Sequence, residues 1–470
     1  MTVQDWKSRK VVIVGAARQG TALARYLVEH GAVVTITDQR PADQLMAAQE
    51  SLAGLPVQWV CSGHPLSLLD GADCLCPSGG VPLTLPLIQE AVARGITLSN
   101  DSQIFLEAVY CRVIGITGSA GKTTTTTLVG RMAGAASQRS QGRYPSKVWV
   151  GGNIGSPLIA DVDRMQPSDL AVMELSSFQL EIMTRSPHVA AVLNVTPNHL
   201  DRHGTMEAYT AAKRRILEFQ EPSQDPAVVL GREDPGAWGL AASVRGRLWS
   251  FSRQRDPSLL SPATYVRQGE LVAWDGKSEI PLMPQSAIEL RGEHNLLNVL
   301  AACAICAAAG LPLNGMQSGV AGFQGVEHRL EFVRTWRGAD WYNDSIATAP
   351  ERVLADIHSF TEPIVLLAGG RDKDLPWQDF ATLVRQRVDH LILFGEAAEK
   401  IYHAVGDPVQ GQRPYSVVRC QGLQQAVLAA ASLVEPGDVV LLAPGGTSFD
   451  EFRDFEKRGE AFRKWVHELL

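Results

Sequence analysis

Gly115-Ile116-Thr117-Gly118-Ser119-Ala120-Gly121-Lys122-Thr123-Thr124, residues 115–124, is the stretch that decides the fold. The apolar run Val113-Ile114 into Ile116 feeds a glycine-rich turn, and a helix-compatible segment follows from Thr124, which predicts a strand, a loop and a helix N-terminus. Glycines let consecutive backbone N–H groups turn inward without a Cβ in the way, so the loop suits polyphosphate oxygens. The helix start adds partial positive charge, Lys122 a full one, and the Thr123 hydroxyl can reach a bound Mg²⁺. Gly118 to Thr124 are therefore candidate nucleotide contacts, against the bland alternative of a surface glycine loop with an exposed lysine. The spacing departs from the common phosphate-loop pattern, which wants Gly at 116, where this chain has Ile and places Gly at 115 and 118 instead.

Outward from that stretch, 470 residues predict two to four domains, and 45% apolar with 20% charged residues is ordinary globular composition. A net charge of −7 gives no support to a general nucleic-acid or anionic-membrane surface. Met1-Thr2-Val3-Gln4-Asp5 lacks the parts of a signal peptide. The most apolar helical stretch, 296–309, falls short of the ~20 residues a bilayer needs. Seven irregularly spaced cysteines make no disulfide framework, and Cys303 and Cys306, a helical turn apart, read as buried thiols rather than a metal pair. A cytoplasmic monomer without nucleic-acid or membrane partners is the expectation.

Residues 11–14 (Val-Val-Ile-Val) end at Gly15-Ala16-Ala17-Arg18-Gln19-Gly20, then come a helix pattern from Thr21 to about Glu29 and a strand from Val33 ending at Asp38. This βαβ opening tempts one towards a dinucleotide site, but Ala17 puts a methyl group where pyrophosphate would approach the backbone, which disfavours NAD. Cys74-Leu75-Cys76 opens into Pro77-Ser78-Gly79-Gly80-Val81, a loop at a strand's carboxyl end, where open α/β sheets bind ligands. A second domain begins near Cys111. Ser137 to Lys147 reads as a mobile polar loop, and apolar runs at 148–150, 170–173 and 190–193 each end at a polar or glycine-rich turn, as in a parallel sheet. Residues 221–290 read as further strands. Beyond about Glu327, runs at 364–368, 391–394 and 439–443 alternate with helical segments. Three α/β domains in series are expected: Rossmann-like at 1–109, a central P-loop-type ATPase domain with a parallel sheet at 110–326, and Rossmann-like again at 327–470.

Glu174 ends an apolar strand and is placed to hold Mg²⁺, or is merely a solvated strand end. His199 and His203 have helical zinc spacing, but Leu200 stands where a zincin base belongs, so His199 is either a Mg²⁺- or phosphate-region contact or a structural histidine. Lys213 lies on a predicted helix whose simplest reading is an exposed basic face. Asn295, Arg329 and Asp344 sit in turn-like settings where nucleotide contact and turn satisfaction are equally open.

Taken together these residues resemble the Mur ligase superfamily, ATP-dependent amino-acid ligases of peptidoglycan precursor synthesis, over essentially the whole chain. The motifs are the 115–124 stretch, Gly-Gly-Asn-Ile-Gly at 151–155, Glu-Leu-Ser-Ser-Phe-Gln-Leu-Glu at 174–181, Asn-Val-Thr-Pro-Asn-His-Leu-Asp at 194–201, Gly-Glu-His-Asn at 292–295 and Asn-Asp-Ser at 343–345. The stretch 448–459, Ser-Phe-Asp-Glu-Phe-Arg-Asp-Phe-Glu-Lys-Arg-Gly, is most similar to the glutamate-adding branch, and the Asp-Asn-Pro-Arg motif of the diamino-acid-adding relative is missing. The resemblance implies ATP, two Mg²⁺ ions, UDP-N-acetylmuramoyl-L-alanine and glutamate as cofactors and substrates. It implies Thr123 and Glu174 on one Mg²⁺, His199 and a carbamylated Lys213 on the second, and Asn295, Arg329 and Asp344 on the nucleotide. The UDP-linked substrate would meet Arg18, Gln19, Asp38, Gln39, Gly79, Gly80, Asn153, Ser176 and Gln179, with Asp38 near uracil. Glutamate would meet Thr348, Lys373, Ser448 and Phe455.

The chemistry implied is phosphorylation of a carboxylate to an acyl phosphate, attack by the glutamate amine and release of phosphate, with domain closure excluding water. One departure stands out. In the best-known branch Asp-Ser is followed by Lys, whereas here Ile346 follows Ser345, so contacts around 346 must differ and the glutamate's stereochemistry stays open at this point. Rival readings are an L-glutamate-adding variant, a folylpolyglutamate-synthetase-like ligase, a nucleotide-switch or motor ATPase, and a nicotinamide dehydrogenase.

Overall fold

The computed structural model describes residues 5–141, 144–256, 258 and 260–470. Its strands make three sheets. The first arranges Lys10–Val14 (β1), Val33–Asp38 (β2), Val57–Cys61 (β3), Cys74–Pro77 (β4) and Thr97–Leu98 (β5) in the order β3-β2-β1-β4-β5, all parallel. Val11 to Val14 are buried because helices cover both faces, so the strand reads as a continuous apolar run. At its end Gly15 takes φ +102°, and a Cβ on Gly20 would lie 2.0 Å from the Gly15 carbonyl, so the helix Arg18–Glu29 packs directly against the turn that feeds it.

The second sheet holds Arg112–Thr117 (β6), Val148–Gly152 (β7), Leu170–Glu174 (β8), Val189–Val192 (β9), Ala227–Gly231 (β10), Arg247–Phe251 (β11), Ala263–Arg267 (β12), Glu270–Trp274 (β13) and Glu279–Pro284 (β14), ordered β14-β13-β12-β11-β10-β9-β6-β8-β7. Residues 221–290 do extend this sheet. It is not parallel throughout, however: β12, β13 and β14 pair antiparallel. The reason is local. Gln268 and Gly269, both at positive φ, make a two-residue turn far too short for a parallel crossover.

The third sheet holds Glu331–Trp336 (β15), Ala339–Asn343 (β16), Ile364–Gly369 (β17), Val388–Phe394 (β18), Ser416–Cys420 (β19) and Val439–Gly445 (β20), ordered β15-β16-β20-β17-β18-β19. Its three central apolar runs are β17, β18 and β20, and β15 joins antiparallel through the Arg337-Gly338 turn. The chain divides into two compact units. One, Met1–Ile288 with His294–Ala321, carries the first two sheets; the other, Glu289–Glu293 with Gly322–Leu470, carries the third.

The expected polar loop at 137–147 is shorter than that: the helix Lys122–Arg139 takes its first three residues, and 142 and 143 lie outside the described residues. Cys303 and Cys306 are buried free thiols on the helix Glu293–Ala308, and Cys306 lies 3.7 Å from the Met132 sulfur. Among the described residues no helix is long and apolar enough to cross a membrane.

A buried polar seam joins the first two sheets. Asn100 caps the helix Asp101–Ala108 by accepting from the Gln103 N–H at 2.8 Å, and its Nδ2 donates to the Gln179 carbonyl at 2.9 Å. Gln179 Nε2 in turn donates to Ser102 Oγ at 2.8 Å. Burial pushes the neighbouring Asp101 carboxyl up from 3.8 to about 6, against bonds from Ser102 and Gln179. The folded state thus holds this proton more tightly than the unfolded chain. The contribution to stability is whole below about pH 4 and is lost as pH rises through about 6. Asp101→Asn is expected to melt about 3 °C or more above wild type at pH 8 and to lose most of that advantage at pH 4.5. Equal differences in Tm at both pH values would contradict the assignment.

Candidate active site

The glycine-rich loop leaves β6 and enters the helix Lys122–Arg139 through Gly121, which sits in the left-handed region at φ +79°. A Cβ there would lie 2.2 Å from Asn298 Oδ1, so glycine is required for both conformation and space. The loop is braced from behind. Asn194 accepts from the Ser119 N–H through its carbonyl at 3.0 Å and from the Ala120 N–H through Oδ1 at 2.8 Å. Ser119 Oγ donates to the Thr196 carbonyl at 2.9 Å and lies 3.0 Å from the Tyr209 hydroxyl. The loop's anion-binding end is therefore the first turn of the helix, whose N–H groups have no intrahelical acceptor.

Two lysines meet at this loop. Lys122 Nζ donates to the Gly118 carbonyl at 2.8 Å and to that of Ser119 at 3.3 Å. Lys213 Nζ donates to the same Gly118 carbonyl at 2.9 Å and to Thr117 Oγ1 at 3.4 Å, with its side chain only 1% exposed. Burial, then the Lys122 charge, hold the Lys213 amine well below its usual value, and Glu174 opposes them. The helix Met206–Glu218 does not present Lys213 to solvent; the expected exposed basic face is a buried amine.

Glu174, at the end of β8, is buried too. Its Oε2 accepts from Thr123 Oγ1 at 2.9 Å and its Oε1 from Asn153 Nδ2 at 3.0 Å. A buried carboxylate beside a hydroxyl is an oxygen donor set that fits magnesium. Among the described residues no group of three or more His, Cys, Asp or Glu gathers. His199, at φ +54°, precedes the short helix Leu200–His203 and meets the Phe178 ring edge-on at 5.0 Å. His203 stacks on Phe178 at 5.3 Å, with Nε2 3.0 Å from Ser177 Oγ.

The 77–81 loop of the first sheet lies against this region. Arg202, 4.6 Å over the Phe178 ring, donates to the Gly80 carbonyl at 3.2 Å and the Val81 carbonyl at 3.1 Å. A Cβ on Gly79 would find Gln179 Cγ at 3.6 Å, Gln19 Oε1 at 3.8 Å and Ser176 Oγ at 3.9 Å. Arg18 Nη1 donates to the Gly155 carbonyl at 3.4 Å, beside Asn153. Asn295 Oδ1 accepts from Asn298 Nδ2 at 3.0 Å, and Asn298 Oδ1 from Thr125 Oγ1 at 3.4 Å, which ties Asn295 to the phosphate loop's helix.

In the second unit the loops after β16, β17 and β20 converge. The Gly445 N–H donates to the Ala347 carbonyl, and Arg371 and Thr447 exchange backbone bonds. Ser448 is buried, Thr348 half-buried and Lys373 exposed. Phe455 opens the helix Phe455–Glu468, its carbonyl accepting from Ser345 Oγ at 2.8 Å. Beneath them Arg458 is fully buried. Its Nε donates to Ser345 Oγ at 3.0 Å and its Nη2 to the Ser345 and Gly446 carbonyls at 2.9 and 3.1 Å. Burial lowers Arg458 to about 10 despite Asp450 and Glu451. Asp344 Oδ1 accepts from the Leu330 N–H at 2.7 Å, and burial raises its carboxyl beside Asp356 and Arg329.

Three family models match in chain order: the Mur ligase MurD-like N-terminal domain at residues 9–100, the Mur ligase middle domain at 116–306 and the Mur ligase glutamate ligase domain at 328–446. A UDP-N-acetylmuramoylalanine--D-glutamate ligase of Symbiobacterium thermophilum is 42% identical over 460 residues, 98% of each chain. The chain belongs to the Mur ligase family. A relative of the same name from Pelotomaculum thermopropionicum is 38% identical over 469 residues, 99% of each chain. Among solved structures, the UDP-N-acetylmuramate-alanine ligase MurC of Thermotoga maritima matches this Mur ligase at TM-score 0.59 with 17% identity, covering 98% of this chain and 99% of that one, which speaks to the fold alone.

Several of the expected substrate contacts of the Mur ligase also have partners within the chain. Gln179, expected on the substrate, is buried, with Oε1 accepting from Ser176 N–H and Oγ and Nε2 donating to Ser102; it closes a capping box. Asp38 faces its own turn. Burial alone would raise it, but the Arg40 guanidinium and the Ala16 and Arg40 N–H groups hold it below the usual carboxylate range. Gln39 beside it is exposed. Asn194, Asn298, Arg202 and Arg458 went unassigned in the sequence reading. An asparagine inside the apolar helix Glu293–Ala308, one turn from Asn295, was the available signal for Asn298.

Proposed function

We propose that this Mur ligase joins D-glutamate to UDP-N-acetylmuramoyl-L-alanine, using ATP to activate the carboxylate. The observation that carries this reading is the meeting, at one phosphate loop, of Lys122, the Thr123–Glu174 pair and the buried amine of Lys213. UDP-N-acetylmuramoylalanine--D-glutamate ligases that align with the chain from end to end support this acceptor and this amino acid. Lys122 would neutralise charge on the transferring phosphoryl group. Lys213, kept as a free amine by burial, would add to carbon dioxide, losing a proton to give a carbamate and so supplying an anion where an ammonium would repel a cation. Thr123 and Glu174 would hold one magnesium ion, and His199 with carbamylated Lys213 a second. Bound there, magnesium would screen the approach of carboxylate to phosphate. Arg18, Gln19, Gly79, Gly80, Asn153, Ser176 and Gln179 would line the UDP-substrate path, while Asp38 and Gln39 would frame the uracil end. Asn295, Arg329 and Asp344 would serve the nucleotide.

In the second unit Thr348, Lys373, Ser448 and Phe455 would receive glutamate, whose amine attacks the acyl phosphate. Domain limits of 1–109, 110–326 and 327–470 go with this reading; each sheet lies inside one of them, although Glu289–Glu293 and 322–326 pack with the third. A monomer working in the cytoplasm goes with this reading. The test is a coupled assay with D- and L-glutamate offered separately and the amide product identified by mass. Product from D-glutamate is expected, and product from L-glutamate alone would refute the stereochemistry. For Lys373→Ala, the KM for glutamate is expected to rise about tenfold or more, with the KM for ATP moving less than about threefold. An unmoved glutamate KM would take Lys373 out of the pocket.

A further inference from the structure

The 77–81 loop is held from two sides. On its entry side Ser78 takes both partners from the end of β1: its N–H donates to the Val14 carbonyl at 2.9 Å and its Oγ to the Gly15 carbonyl at 3.2 Å. The Val81 N–H then donates to the Ser78 carbonyl at 2.9 Å and closes a four-residue turn with Gly79 and Gly80 at its centre. Gly79 and Gly80 donate to no backbone carbonyl among the described residues. A Cβ on Gly80 would meet nothing within 4 Å, so this corner of the turn is open. Two neighbouring N–H groups in one turn, at a strand's carboxyl end, suit a phosphate oxygen.

On the exit side the turn's carbonyls face the second sheet's domain. Arg202 Nη1 donates to the Gly80 carbonyl at 3.2 Å and Nη2 to the Val81 carbonyl at 3.1 Å. Pro82 comes next and has no N–H with which to continue the pairing. Arg202 lies on the short helix Leu200–His203, and its guanidinium sits 4.6 Å over the Phe178 ring. That ring also packs against His199 at 5.0 Å and His203 at 5.3 Å, so the fork rests on an aromatic platform with its two ends on successive carbonyls. A planar guanidinium meets this geometry better than an ammonium does. Its charge is not spare, since Glu181 is near enough for Arg202 to lower its carboxyl against burial. What Arg202 supplies is the setting of the turn: with both sides held, the two glycine N–H groups keep a fixed direction.

We propose that Arg202 is a positioning residue for the UDP-linked substrate: by holding the Gly80 and Val81 carbonyls it keeps the Gly79 and Gly80 N–H groups presented to the pyrophosphate, the most strongly anionic part of that substrate. This rests on the functional reading above. The test is calorimetric binding of UDP and of uridine to wild type, Arg202→Ala and Arg202→Lys, with steady-state kinetics and thermal melts of the same proteins. Arg202→Ala should weaken UDP at least about tenfold and leave uridine within about twofold. The KM for UDP-N-acetylmuramoyl-L-alanine should rise by a similar factor, with the KM values for ATP and glutamate within about twofold. Arg202→Lys should fall between, and added guanidinium should recover part of the loss in Arg202→Ala. The loss should be the same at low and high salt; a loss that vanished at high salt would make Arg202 a solvated charge on the phosphates and overturn the role. Equal weakening of UDP and uridine also overturns it, as does a lowered Tm with UDP affinity intact, which would leave Arg202 a strut between the two sheets. Wild-type protein that binds UDP but forms no amide would remove the functional reading, whereas active wild type with an indifferent Arg202→Ala removes only this inference.

Discussion

Lys122→Ala is expected to lower phosphate release on the order of 1000-fold, about 4 kcal/mol of transition-state stabilisation, while the protein stays folded. The size follows from position. Lys122 is the first residue of a long helix, so its ammonium adds to the partial charge of that helix end where the phosphates must lie. In the structure the amine rests on the Gly118 and Ser119 carbonyls, bonds that hold it over the loop. Folding survives because the loop's shape depends on other groups: the Asn194 clamp, the Ser119 hydroxyl and the left-handed Gly121. Initial rates alongside thermal melts check both halves. Turnover near wild type would remove Lys122 from phosphoryl transfer, and a collapsed Tm would show that the loop leans on this lysine after all.

Lys213→Ala carries the second large effect, again on the order of 1000-fold. An ammonium at this depth would be costly, since its contacts are a carbonyl, a hydroxyl and the Tyr209 ring 4.6 Å away. Burial and Lys122 favour the neutral amine, which is the nucleophilic form that carbamylation needs. The alanine variant opens a space beside Thr117 and Gly118 into which a small carboxylate fits. Acetate or formate should therefore restore a measurable part of the rate in Lys213→Ala and do nothing for Lys122→Ala. Retained activity in Lys213→Ala, or a lost rate indifferent to small carboxylates together with an unmodified lysine in the native protein, would count against the carbamate.

Much of this architecture could be read from the chain because parallel strands buried on both faces leave unbroken apolar runs, and such runs end where ligands bind. Val11–Val14, Leu170–Glu174 and Val439–Gly445 are examples, each buried along almost its whole length. The antiparallel edges were not legible. Gln268-Gly269 and Arg337-Gly338 turn the chain in two residues, but Gln and Arg at positive φ lack the Asn or Asp signature of such turns. The run Ser176-Ser177-Phe178-Gln179 hid another pairing: Ser176 and Gln179, three apart, bond each other as a capping box. Lys213 looked like a surface residue because helical periodicity gives a face and not what covers it. Ser345 and Arg458 meet although 113 positions part them in the sequence, a nearness that only the folded sheet creates.

Steady-state phosphate release by the purified protein, with ATP and magnesium present and UDP-N-acetylmuramoyl-L-alanine and D-glutamate withheld one at a time, tests the central claim most directly. If ATP serves to make a carboxylate acylate an amino acid, sustained release requires both substrates and matches amide formed one for one. Release at the full rate with either one missing would contradict it.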